Sequence, residues 1–200
     1  MKQKNRSATT KRSTRETTIT CRLVLDGTGE VTVATGIGFL DHMLTALAFH
    51  AGWDLNLQCS GDLEVDDHHT AEDCALALGE ALDDALGDRA GIVRFGTAYA
   101  PLDEALARCV VDLSGRPWPQ VELGLTREKL GELACENISH VFRSLAMSAR
   151  CALHVDVLRG DNDHHRAEAA FKATALALRQ ATARSEGGVR STKGTLGGAS

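Results

Sequence analysis

"DDHHTAED" (Asp66–Asp73) and "NDHHRAEA" (Asn162–Ala169) are two versions of one pattern: adjacent histidines, then a glutamate three residues on. A shift of 96 residues carries His68, His69 and Glu72 onto His164, His165 and Glu168. The same shift carries Ala71, Cys74, Ala75, Leu78, Leu82 and Ala85 onto Ala167, Ala170, Phe171, Thr174, Leu178 and Ala181. Both stripes follow the i, i+3, i+4, i+7 spacing of an amphipathic helix, so each H-H-x-x-E opens a helix. Glycines after the stripes, Gly87 and Gly187, are the expected terminators.

The repeat extends upstream. "LDHMLTALA" (Leu40–Ala48) resembles "ISHVFRSLA" (Ile138–Ala146), which pairs His42 with His140 in two further helical segments. After each comes an alternating stretch, Trp53, Leu55, Leu57, Cys59 in one half and Cys151, Leu153, Val155, Val157 in the other, the period of a strand. Earlier strand candidates are 19–25 and 31–35 in the first half, 92–99 and 106–113 in the second. "DGTGE" and "LSGRPWP" supply turn residues. Each half therefore reads β-β-α-β-α. Two such halves, with sheets on one side and helices on the other, give an internally duplicated α+β sandwich. The expected organisation is one structural domain: a disordered basic tail at 1–14, half-repeats at 15–88 and 89–185, and an irregular segment at 186–200.

Composition excludes several classes. The net charge of −5 gives no general attraction to nucleic acid or anionic membrane. No apolar run approaches the roughly 20 residues that span a bilayer. The basic residues before position 16 (Lys2, Lys4, Arg6, Lys11, Arg12, Arg15) stand among Ser and Thr without the apolar core of a secretory signal. The six cysteines are scattered, which fits reduced thiols in a cytoplasmic protein.

Six of the eight histidines fall at equivalent points of the repeat, beside carboxylates. Neutral imidazole nitrogens next to anionic oxygens are a metal-ligand set. On a helix His68 and Glu72, four apart, share a face, whereas His69 points about 100° away and must reach a different ion. The expected arrangement is reciprocal. One ion takes His68, Glu72 and a histidine of the second H-H pair; the other takes His164, Glu168 and His69; His42 and His140 complete the sets. Three imidazoles and one carboxylate leave two positions of an octahedral shell open. Such sites suit Mn²⁺, Fe²⁺, Co²⁺ or Ni²⁺ better than four-coordinate zinc, and Mn²⁺ is the expected ion. Open positions admit a substrate.

"LDHML", "DDHHTAED", "RFG", "PLDEAL", "DLSGRP", "NDHHRAEAAFKA" and "STKG", in this order, resemble the imidazoleglycerol-phosphate dehydratase family of histidine biosynthesis, over about residues 15–194. Arg190 stands where the family pattern has proline. The resemblance implies a ribosomal protein S5 domain 2-like fold and a hydro-lyase that converts imidazole glycerol phosphate to imidazole acetol phosphate. Two divalent ions per active site would hold the substrate ring as imidazolate, one on each nitrogen, while the hydroxyl leaves through a diazafulvene-like intermediate. It further implies a homo-oligomer of 24 chains built from trimers, with sites between subunits. No nucleic acid or membrane partner is implied.

The same resemblance assigns residues. Glu16 in "RETT" is the acid–base carboxylate, working with the ligands Glu72 and Glu168. Asp103 and Glu104 are weaker candidates, and Asp103 alternatively caps a helix. The substrate set is Glu16, His42, His50, Arg94, Arg116, Lys172, Ser191 and Lys193, with the cations and the serine on the phosphate. His154 is a strand-surface residue without a role. Two other classes use part of this set. A dinuclear metallo-hydrolase would add a bridging carboxylate; a metal-storage or sensing protein would lack the phosphate-binding cations.

Overall fold

The computed structural model describes residues 6–192 and 196. The first half runs β1 (Ser7–Ser13), β2 (Thr17–Val24), β3 (Val31–Ala34), α1 (Gly38–Ala51), β4 (Asp54–Gly61), α2 (His68–Leu86). The second runs β5 (Phe95–Leu102), β6 (Ala105–Asp112), β7 (Trp118–Glu122), a short hairpin of β8 (Lys129–Leu130) and β9 (Leu133–Ala134), then α3 (Cys135–Ser148), β10 (Ala152–Arg159) and α4 (Asp163–Thr182). The sheets have the same order, β1-β2-β4-β3 and β5-β6-β10-β7, with β3 parallel to β4 and β7 parallel to β10. The duplication is real, and the fold is α+β.

Three expectations need correction. Residues 7–13 are not a disordered tail: β1 pairs antiparallel with β2 from Ser7↔Val24 to Ser13↔Thr18. "LSGRPWP" is not only a turn, because Trp118–Glu122 forms the edge strand β7, where Pro119 costs little since an edge leaves one row of N–H groups unpaired anyway. Each half is therefore β-β-β-α-β-α. Finally, the sheets do not share a side. α1 and α2 pack on the first sheet, α3 and α4 on the second, and the helix layers meet as two seams, α1 against α4 and α2 against α3. The helices lie between the sheets.

That placement explains their composition. The predicted stripes of α2 and α4 are buried, but so are Ala77, Gly79 and Ala81 on α2 and Ala169, Ala173, Ala175 and Ala177 on α4. One face of each helix meets a sheet; the other meets a helix, and small residues let the backbones approach. Gly87 follows α2 directly, whereas α4 ends at Thr182, before Gly187. In β2 the alternation is plain: Thr17, Ile19, Cys21 and Leu23 point in, Thr18, Thr20 and Arg22 out. Among the described residues no helix is long and apolar enough to cross a membrane.

The α2–α3 seam is tight at Gly79. A Cβ there would lie 2.8 Å from Leu145 O and from Ser148 Cβ, and 2.9 Å from Ala149 N. Two of these are backbone atoms and cannot swing aside. Gly79→Ala gains about 1 kcal/mol of helix propensity but overpacks the seam at a cost of about 1–3 kcal/mol. The expected result is a net loss of stability, read as a lower denaturant midpoint with an unchanged slope. A midpoint that stayed or rose would contradict the contact.

Candidate functional site

The four helices begin close together. Asp67, before α2, accepts the N–H of Ala134, before α3, at 2.5 Å. Phe39 at the start of α1 packs on the His164 ring of α4, centroids 5.2 Å apart. Ile37 and Asp67 line one hollow. The paired histidines therefore gather at one end of the helix layers. Backbone N–H groups are what hold the loops there: Asp163 accepts from Thr126 and Arg127 at 2.8 and 2.7 Å, and Asn162 and Asp66 accept from the N–H of His164 and His68, both at 2.9 Å. Helix capping falls to Asn162, not Asp103, which sits in the β5–β6 turn with φ 46°.

Two donor groups form, each across a seam and so across the halves. His42 of α1 joins His164 and Glu168 of α4: both imidazole Nε2 atoms lie 3.2 Å from Glu168 Oε2. His140 of α3 joins His68 and Glu72 of α2, with His140 Nε2 3.2 Å from Glu72 Oε1 and His68 Nε2 3.7 Å from Glu72 Oε2. In each group one nitrogen from each histidine and one carboxylate oxygen come within 4.8 Å of one another. The donor chemistry fits a divalent ion. So does a buried atom: His140 Nε2 has no hydrogen-bond partner, because the Glu72 oxygen is near but badly aligned. An ion on that lone pair would satisfy it.

His69 and His165 join neither group. Their ring centroids lie 5.9 and 6.1 Å from those of His68 and His164, with the ring planes at 77° and 87°. Each turns to carboxylates of its own half. His69 Nδ1 is 3.0 Å from Asp62 Oδ2 and its Nε2 is 3.7 Å from Glu16. His165 Nδ1 is 2.7 Å from Glu104 Oε2 and its Nε2 is 3.9 Å from Asp103. The hydrogen bond to Asp62 raises the His69 pKa, and that to Glu104 raises the His165 pKa. The His165 contact, with help from backbone N–H groups, holds Glu104 down to about 2. Nδ1–H donating to a carboxylate leaves Nε2 outward as a ligand atom. Asn137, 4% exposed, does the same for His68, whose Nδ1 lies 2.9 Å from its Oδ1. Asp62 and Asn137 were missed from sequence. The signal for Asn137 was its place three residues before His140 on one helix face.

The two hairpin turns differ in how free their carboxylates are. Glu104 is occupied, accepting also from the N–H of Asp161 and Asn162 at 3.1 and 2.9 Å. Among the described residues the Glu16 carboxylate has no partner closer than His69. Its turn is fixed instead by buried Asp73, which accepts from Thr17 Oγ1 at 2.5 Å and Arg12 Nε at 2.8 Å. Glu16 is thus seated beside α2 with its own carboxylate unspent.

The remaining predicted residues divide. His50 and Lys172 belong to the α1–α4 seam: Lys172 Nζ is 2.7 Å from Glu168 Oε1, and burial, aided by the Lys172 charge, lowers the His50 pKa. Burial alone would raise the Glu168 pKa, but Lys172 and His42 outweigh it and the carboxyl is lowered. Arg94, Arg116 and Ser191 lie elsewhere. Arg94 is gripped by Asp112 at 2.7 and 3.0 Å, donates to Arg190 O, and its N–H bonds Ala181 O at the far end of α4. Its O accepts from Leu113, which brings the turn of Ser114 and Arg116 to the same corner. From Glu168 to Ala181 is 13 residues, or about 20 Å of helix at 1.5 Å each. Lys193 lies outside the described residues. The guanidinium corner thus lies by the C-terminal end of α4, and the Glu168 group by its N-terminal end.

Comparison with known proteins agrees with the motifs. The family model for imidazoleglycerol-phosphate dehydratase matches residues 35–178. The chain is 57% identical over 197 residues to the imidazoleglycerol-phosphate dehydratase of Phaffia rhodozyma, covering 96% of each. It is 60% identical over 192 residues to that of Phytophthora nicotianae, covering 96% of this chain and 42% of that longer protein. The solved structure of the Pyrococcus furiosus enzyme superposes with a TM-score of 0.82 at 38% identity, covering 94% of this chain and all of that one. The chain belongs to the imidazoleglycerol-phosphate dehydratase family, a family of hydro-lyases.

Proposed function

We propose that the chain dehydrates imidazole glycerol phosphate to imidazole acetol phosphate in L-histidine biosynthesis, at sites completed by a second copy of itself. One observation carries the reading: two matching His–Glu–His groups, one for each nitrogen of an imidazole ring, each lacking the outward histidine that the repeat provides. His42, His164 and Glu168 would hold one divalent ion and His68, Glu72 and His140 the other, with His69 and His165 reaching out to the groups of a neighbouring chain. The ions, of the manganese type, would supply Lewis acidity that makes the bound ring an electron sink. Glu16 would move the side-chain proton, its carboxylate being held by nothing closer than His69 among the described residues, at 3.7 Å. His42 and His50 would line the ring and side chain, and Lys172 with Arg94, Arg116, Ser191 and Lys193 would hold the phosphate.

The placement of the Glu168 group and the guanidinium corner at opposite ends of α4, about 20 Å of helix from Glu168 to Ala181, supports assembly, since two chains can bring together what one separates. So does the asymmetry of the sheets. The outer face of the first carries Thr9, Lys11, Thr18, Thr20 and Arg22; that of the second exposes Phe95, Tyr99 and Trp118, with Phe95 and Trp118 in one row across the strands. Aromatic residues on one of two duplicated faces mark a surface meant to be covered. The expected particle is 24 chains built from trimers, in the cytoplasm.

Turnover decides the class. Purified protein with Mn²⁺ should release imidazole acetol phosphate from imidazole glycerol phosphate, and Glu16→Gln should lower kcat by roughly 10²–10⁴-fold with the metal content intact. Release of inorganic phosphate instead would mark a metallo-hydrolase, and no turnover a storage or sensing protein. The phosphate grip has its own test. Arg116→Ala should weaken substrate affinity roughly ten- to a hundredfold, the loss of a charge-assisted contact worth about 1.5–3 kcal/mol, without loss of metal. Unchanged affinity would remove Arg116 from the site.

A further inference from the structure

The two donor groups share their ligand types and differ in what stands behind them. Aligning the halves in sequence, with an offset of 96 residues from α2 to α4 and 98 from α1 to α3, sets Glu72 on Glu168, His68 on His164 and His140 on His42. The same alignment sets Leu76 on Lys172 and Ser148 on His50. In the α2–α3 seam these positions make an ordinary packing contact, Ser148 Oγ donating to Leu76 O at 2.7 Å. In the α1–α4 seam they are a lysine and a histidine beside the ligand carboxylate. Lys172 Nζ lies 2.7 Å from Glu168 Oε1, with side chains 21% and 13% exposed. Glu168 therefore divides its oxygens: Oε1 faces the ammonium, and Oε2 alone faces His42 and His164, at 3.2 Å each. Glu72 turns both oxygens to imidazoles, and among the described residues its ion-pair partners are only His68 and His140.

We propose that the two metal sites of this chain are unequal. The Glu72 site binds its ion more tightly and fills first; the Glu168 site is weakened by Lys172 and fills second. This rests on reading the two groups as metal sites. The electrostatics are direct. An ammonium 2.7 Å from one carboxylate oxygen stands about 5 Å from an ion bound to that carboxylate through a metal–oxygen bond of about 2 Å. Even screened as in water, one positive charge at that distance from a dication weakens its binding by roughly tenfold. It also blocks bidentate use of Glu168, which remains open to Glu72.

The test is a Mn²⁺ titration of the full, chelator-stripped chain, with free Mn²⁺ read from its electron paramagnetic resonance signal. The wild-type protein should show two classes, one ion per chain in each, separated by roughly tenfold or more in Kd. Lys172→Met should tighten the weaker class toward the stronger and leave the stronger where it was. The reciprocal change, Leu76→Lys, should weaken the stronger class. If that variant does not fold, Lys172→Met decides alone. A single class of two equivalent ions in the wild type would overturn the proposal, as would a Lys172→Met chain in which both classes move or neither does. Absence of any Mn²⁺ binding would overturn the metal reading beneath it, a different outcome from two ions held alike.

Discussion

Adjacent residues on an α-helix point about 100° apart, so two neighbouring imidazoles cannot converge on one point. Most of the site follows from this. His68 turns into the α2–α3 seam, where Asn137 lies at its Nδ1 and its Nε2 faces Glu72, as that of His140 does. His69 is then forced outward, toward the β1–β2 turn, and Asp62 takes its Nδ1. α4 repeats the division with His164 and His165. Each helix keeps one ligand and exports the other. A chain built this way twice has two His–Glu–His groups and two outward imidazoles, which is what the proposed assembly would use.

The seams make the groups possible, and small residues make the seams possible. His42 can meet Glu168, and His140 can meet Glu72, only because α1 lies against α4 and α2 against α3. Gly79 and the alanines of α2 and α4 set how closely the helices approach, while the two sheets press from outside. The first strand has a part as well. Through Arg12 and Thr17 it seats its hairpin on Asp73, one residue from Glu72, and this carries Glu16 to the edge of the site.

Much of this was legible in the sequence, and the reasons for the remainder are physical. The H-H-x-x-E repeat gave two helices, their buried stripes and the divergence of neighbouring histidines, because those depend only on helical period. β1 was hidden because its inward residues, Ala8, Thr10 and Arg12, are small or polar and its outward ones, Ser7, Thr9, Lys11 and Ser13, are polar too, so the alternation carries little hydropathy contrast. The repeat itself held the clue: β5 stands before β6 as β1 stands before β2. β7 was hidden behind its prolines, which an edge strand tolerates. The pairing of His42 with the second half and His140 with the first could not be read, since it depends on which helix faces which, a matter of tertiary packing. Glu168 and Lys172, at i and i+4, were each legible; that the lysine lacks a counterpart in the first half emerges only when the two seams are compared.

The central claim is that each ion is held by three ligands from one chain and a histidine from another. Anomalous diffraction at the manganese edge, from crystals grown with Mn²⁺, tests it most directly. The account predicts two peaks per chain, one at His42, His164 and Glu168 and one at His68, Glu72 and His140, each approached by His69 or His165 of a neighbouring subunit. Peaks ligated wholly within one chain, or a peak away from these residues, would contradict it.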